Sequence, residues 1–397
     1  DSPSYGGGVT ISTGQLNNVV VGWCYALYGG GGLYFNGPGL VTGCLITANT
    51  GARGGGGIYM STACSMSTVS CSQVVGNIAT NTLIGYGGGG ICVQSGTVEG
   101  CLIASNQAVY RAGGGVCFYN GGGVLRDSTV VFNQAEVGLS GGGIGSSGPD
   151  TVEISGCLIR ANTSATGNGG GLNYASVTAT CLVWNCTIES NQAPAHYGGG
   201  VYLSGTNVSI SNSVLRGNMG LNGAASWLQD GATMRNCLLA GNNYTNAVAV
   251  LYLNTSTVEN CTIVGNTVKS SGGIYMVATN GQMVRNCIVY DNFLANGTAM
   301  DGGLITGASN YFFNCCAGTL ALPPSQGNTT NPPLWLDAGN ANYRLQKGSP
   351  CINTGTNLDW MTGVFDLDGR PRRDRFSGKV DMGAYEFVPE GMLFLGR

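Results

Sequence analysis

Charge is scarce in this 397-residue chain: 16 residues are basic and 19 acidic, where about a quarter of a chain is usual. The net charge of −3 leaves no basic patch for nucleic acid and no polybasic membrane anchor. No apolar run approaches the ~18–20 residues that span a bilayer, so no membrane span is expected. The single histidine, His196, falls in a loop before Gly198 and reads as a solvent-exposed residue. Helical periodicity is missing. The 70 glycines follow no Gly-X-Y register, so they serve turns rather than a triple helix. The chain begins with Asp1 and shows no signal segment, so a secreted protein would be represented by its mature form.

What the chain has is repetition. Cys44-Leu45-Ile46-Thr47-Ala48-Asn49 returns as Cys101 to Asn106, Cys157 to Asn162, Cys186 to Asn191, Cys237 to Asn242, Cys261 to Asn266 and Cys287 to Asn292. Serine replaces the cysteine in Ser128 to Asn133 and Ser213 to Asn218, and a tenth copy ends at Asn77 with its cysteine shifted to Cys71. The ten asparagines are spaced 24 to 29 residues apart. Such a period, punctuated by glycine and asparagine, predicts a solenoid in which each repeat is one coil.

The aligned copies share a grammar. Three residues before the cysteine lies an apolar residue (Val41, Val98, Leu125, Ile154), and one before it lies Gly43, Gly100, Asp127, Gly156 or, further on, Asn185 to Asn286. Those types accept a left-handed backbone, so a strand should bend there. The residue two beyond the cysteine continues the inward set by period-two alternation. The recurring asparagine is expected to form a second corner and to stack its amide between coils. Glycine runs such as Gly54 to Gly57 and Gly113 to Gly115 supply a third. Three short strands per coil predict an all-β, single-stranded parallel β-helix of about 11–12 coils, on the order of 55 Å long.

The phrase Asn-Gln-Ala followed by glycines (Asn106 to Gly115, Asn133 to Gly143, Asn191 to Gly200) resembles the repeats of polymorphic outer-membrane proteins. Tyr343 to Gly355, then Asp366-Leu367-Asp368-Gly369-Arg370-Pro371-Arg372, then Val380 to Phe387, resembles the choice-of-anchor Q module that ends many secreted bacterial β-helix proteins. These resemblances imply a right-handed helix, export and a bacterial surface location, without implying an activity. The domain reading is β-helix repeats over 1–305, an irregular loop and last coil over 306–358, a charged cap over 359–387 and an apolar tail over 388–397.

Residues 359–397 hold 13 of the charges, a composition suited to capping the last open coil. Asp366 and Asp368 are expected to bridge arginines, with a calcium loop as the alternative; the pair lacks the remaining ligands of an EF-hand. No other cofactor is expected. Position −2 alternates Glu99 with Arg126, and Arg235, Glu259, Arg285, which would form outward ion-pair ladders worth well under ~1 kcal/mol per pair.

A second outward column reads Tyr34, Tyr59, Cys92, Cys117, Gly145, Asn173, Tyr202, Trp227, Tyr252, Tyr275. Its aromatic strip, Tyr202, Trp227, Tyr252 and Tyr275, is the candidate interaction surface for sugar rings or another subunit. The plain alternative is a self-stacking ladder. Candidate disulfides are Cys92 with Cys117, and Cys316 (or Cys315) with Cys351. The in-register core cysteines should stay reduced, because coil neighbours hold Cβ atoms near ~4.8 Å, beyond the ~3.8 Å a disulfide prefers.

Polysaccharide cleavage needs paired carboxylates or a calcium cluster beside a base, and Asp150, Asp230, Asp291, Asp301 and Asp337 are isolated. The expectation is a non-enzymatic, secreted structural protein that associates with itself into a surface fibre. Its chain ends would make the contacts: Tyr5 at one, and Met392, Leu393, Phe394 and Leu395 adding as a strand to a neighbour's open coil. The rival reading is an adhesin binding cell-surface glycans; polysaccharide lyase or hydrolase activity comes third.

Overall fold

The computed structural model describes residues 5–80, 87–110, 113–138, 141–148, 151–176, 178–277, 280–304, 307–375 and 377–389. The chain winds into a right-handed parallel β-helix whose three main sheets hold twelve strands each. The first sheet runs from Val9–Ile11 to Gly302–Leu304, the second from Gly14–Asn17 to Phe312–Phe313, and the third from Val20–Gly22 to Cys316–Ala317. Every coil pairs in register with the next, as in Val98 with Leu125 and Ile103 with Val130. Three strands per coil proves too few. The Asn-Gln-Ala stretches form a fourth sheet of eight strands, Tyr25–Ala26 to Met219–Asn222.

The corners follow from backbone chemistry. At position −1 twelve residues, from Asn18 and Gly43 to Asn286 and Asn314, have φ between 46° and 62°. The side chain two places back and the one just after both turn inward. Cys71 occupies this corner itself, so Ser72 takes the inward place, and its hydroxyl accepts from Cys44 N at 3.1 Å. The second left-handed corner falls on the residue before the recurring asparagine (Ala48, Ser105, Phe132, Ala161), not on the asparagine as expected. At the glycine corner the coils nearly touch: a Cβ on Gly56 would lie 2.2 Å from Gly89 O.

With the bend made by its neighbour, the asparagine points into the interior and is buried. Asn106 N and Nδ2 both donate to Asn133 Oδ1 at 2.9 Å, and Nδ2 also donates to Val74 O at 2.8 Å. The pattern repeats along the rod and ends where Asp301 Oδ1 accepts from Asn292 N at 3.2 Å.

The open end is closed by a segment read from sequence as an irregular loop. Phe312, Cys315, Leu320 and Leu322 join the main core, and Thr329 pairs with the last coil through Cys315 O and Ala317 N. The charged segment expected over that end lies instead along the flank. Residues 332–387 cover the outward face of the third sheet, where Leu238, Ala240, Val264, Ile288 and Cys316 pack against Trp335, Leu345, Cys351, Met382 and Tyr385. Corner asparagines hold it there: Asn236 Nδ2 donates to Phe365 O, Asn260 Nδ2 to Asp381 O and Asn286 Nδ2 to Thr356 O, at 3.1, 3.1 and 2.8 Å.

Candidate functional site

The aromatic column stands on the outward face of the first sheet, in the register expected: Tyr202 pairs with Trp227, Trp227 with Tyr252, and Tyr252 with Tyr275. Its exposure does not follow. Tyr202 and Trp227 are each only 9% exposed. Trp227 lies face to face with Tyr252 (centroids 3.8 Å apart, planes at 8°) and is covered by Tyr197 at 4.3 Å. Its Nε1 donates to Gln229 Oε1 at 2.8 Å. Strand spacing of ~4.8 Å brings aromatic neighbours near contact distance, and Tyr197, from the fourth sheet, closes the sandwich. This half of the column stacks on itself and offers no flat aromatic face at Trp227.

The other end of the same column is open. Tyr34 and Tyr59 pair in register with centroids 5.7 Å apart. Tyr5 leans on both Tyr34 and Tyr28, at 5.3 and 5.8 Å. Arg53 lies over the Tyr28 ring at 4.8 Å and donates from Nη1 to its hydroxyl at 2.9 Å. Between these rings, with Asn36, Ser61 and Gln94 on the walls, is a cavity of ≈ 550 Å³. Burial pushes the Tyr34 hydroxyl up from its ordinary pKa. Sequence reasoning placed Tyr34 and Tyr59 in the column and Tyr5 among the assembly contacts, but missed Tyr28, Arg53 and Gln94. The available signal was two tyrosines 25 residues apart in one column.

The remaining candidates scatter. Cys92 and Cys117 are register partners in the outward column and are nonetheless buried, Cys117 against Ala108. Cys316 and Cys351 meet beneath the flank module, and their mutual hydrogen bond, then burial, raises the Cys316 thiol. Met392, Leu393, Phe394 and Leu395 lie outside the described residues, as does Asp150. His196 contacts Tyr197 edge-on.

The isolated acids have structural partners. Asp230 accepts from Ser204 Oγ, Asp291 from Trp335 Nε1, Asp301 from Asn292, and Asp337 from Asn340 N. Among the described residues no three His, Cys, Asp or Glu side chains converge as a metal site.

The charged C-terminal residues form two groups. Asp368 pairs with Arg344 and Arg370, while Asp366 accepts the backbone N–H groups of Asp368, Arg370 and Glu386. Those donors engage both carboxylate oxygens of Asp366 within the chain. Deeper in, Arg372 is fully buried against Glu386 at 3.1 Å. Burial raises Glu386 to about 8, with Arg372 opposing, and raises Asp381 to about 6. Of the outward ladders, Arg126 pairs with Glu99 at the surface as expected, whereas Glu259 is buried between Arg235 and Arg285. A further ladder, Arg160–Glu189–Arg216, runs on the third sheet.

The model of the right-handed beta helix region matches residues 72–243 and, overlapping, 171–330. No curated protein matches the chain. Among solved structures, that of pectate lyase Pel9A aligns over 97% of this chain and 84% of the other, at 13% identity and a TM-score of 0.37. No catalytic residue is carried over at that distance.

Proposed function

The chain belongs to the right-handed β-helix family, and from that premise we propose that it is a structural subunit that associates with copies of itself, at or outside the cell surface. The observation carrying this reading is Trp23. It occupies the corner column where other coils place small residues such as Ala48, Gly76, Ser105, Ala161 and Ser190, and in one coil the exposed Phe132, and it has φ 62°, a conformation uncommon for a bulky side chain. It is 88% exposed, so the fold gains almost nothing from its burial. Backbone strain at an exposed tryptophan points to a contact outside the chain. Val20 and Tyr25, on either side of the same corner, are 68% and 59% exposed. The strands of this coil stand at the edges of their sheets, where an added strand would find unpaired backbone groups. The apolar Met392 to Leu395 of a second copy has the composition for that strand.

The test is negative-stain microscopy and light scattering of the native protein beside Trp23→Ser and a deletion of 388–397. Assembly that is lost in either variant, with an unchanged circular dichroism spectrum, supports the reading. Equal assembly in all three, or a monomeric parent, overturns it. The adhesin reading loses the expected strip, since Tyr202 and Trp227 are enclosed; saccharide recognition has better geometry at the open end of the column. Lyase or hydrolase activity is tested by incubating acidic polysaccharides with the protein and calcium. Extracellular placement rests on the resemblance of the C-terminal module.

A further inference from the structure

We propose that the open end of the aromatic column is a binding site for a short oligosaccharide bearing an anionic substituent, seated on Tyr34 and Tyr59 with its charge at Arg53. The two ends of the column differ in one respect that matters for a ligand. Trp227 and Tyr252 are parallel at 3.8 Å, so nothing enters between them. Tyr5, Tyr28, Tyr34 and Tyr59 are splayed, with ring planes 29° to 37° apart and centroids 5.3 to 5.8 Å apart. They line a concave cavity of ≈ 550 Å³, within the range of small-molecule sites.

The lining selects the chemistry. Ring faces carry negative quadrupole charge, and the C–H face of a pyranose is their complement. The amides of Asn36 and Gln94 and the hydroxyl of Ser61 lie among the rings, as a polyhydroxylated ligand requires and an alkyl chain does not. Arg53 adds the charge. Its guanidinium is held by the Tyr28 ring and hydroxyl, and no carboxylate among the described residues lies within ion-pair distance of it. A planar guanidinium fixed on one side, with no carboxylate partner among the described residues on the other, fits a carboxylate or a sulfate equally, through two parallel hydrogen bonds. The site shares no residue with the Trp23 corner, so the two proposals stand separately.

Calorimetric titration of the full chain with cellotetraose, a hyaluronan tetrasaccharide and a sulfated chondroitin tetrasaccharide tests the site and separates the two anion sources. At least one acidic probe should bind, and cellotetraose at least tenfold more weakly. Arg53→Gln should lose tenfold or more for the acidic probe alone, and Tyr34→Ala should lose binding of every probe. The Arg53→Gln variant removes no core group, so it keeps the test sound if Tyr34→Ala misfolds. No binding by any probe, cellotetraose binding as tightly as the acidic probes, or unchanged affinity in Arg53→Gln would overturn the proposal.

Discussion

Asparagines fill two columns, an inward one along the rod from Asn49 to Asn292 and a corner one in the coils from Asn185 to Asn314, and their residues differ in consequence. Asn162 Oδ1 accepts from both N and Nδ2 of Asn133, and its own Nδ2 donates to Val130 O and Asn191 Oδ1. Asn162→Ala leaves several buried groups unpaired at roughly 1–3 kcal/mol each, so urea unfolding should show a loss of about 3 kcal/mol or more. Asn185, a left-handed corner with φ 55°, should tolerate glycine almost neutrally in the same measurement. The acids around Arg372 set a pH dependence. Folded Glu386 and Asp381 titrate near about 8 and about 6, above their ordinary 4.5 and 3.8. The folded state therefore holds more protons between those values, and its stability falls as pH rises from about 4 to about 8. Glu386→Gln should flatten the upper part of that decline in melting temperature. Sequence alone showed the charges but not their burial, which depends on a module folding onto a distant flank.

At the scale of elements, the corner column changes character along the chain. It is Asn18 in the first coil, mixes glycine, cysteine and aspartate from Gly43 to Gly156, and is asparagine in every coil from Asn185 to Asn314. Asn236, Asn260 and Asn286 lie in the coils that carry residues 332–387. Replacing Asn236, Asn260 and Asn286 together by glycine keeps each left-handed corner and removes the four side-chain hydrogen bonds they make to that module, at about 1 kcal/mol each. Limited proteolysis should then cut within 332–387 while the solenoid stays resistant, and fluorescence from Trp335 and Trp360 should shift to the red. Cleavage no faster than in the parent would show that apolar burial alone holds the module. The column itself was legible in the sequence. Its partner was not, because Asn260 and Asp381 are 121 residues apart and no repeat links them.

At the scale of the molecule, twelve coils at ~4.8 Å make a rod near 55 Å long, continuous in core from Ile11 to Leu322. Small-angle scattering of dispersed protein should give that length, and an end-to-end assembly should show it as the axial repeat. The sequence by itself determined the β-helix, its coil count and which side chains face inward, because each coil restates the same local rules of alternation and left-handed corners. It even placed the aromatic column in register. Only the tertiary structure decided what those positions can do. Whether the column is shut at Trp227 or open at Tyr34 depends on Tyr197, from the fourth sheet, and Tyr28, from the bend after Tyr25–Ala26. The charged segment lies on the flank because five apolar residues there, not the rod's end, lacked a cover. Periodic sequence specifies what repeats; contacts that occur once, between residues far apart in the chain, arise from packing and decide where a partner can bind.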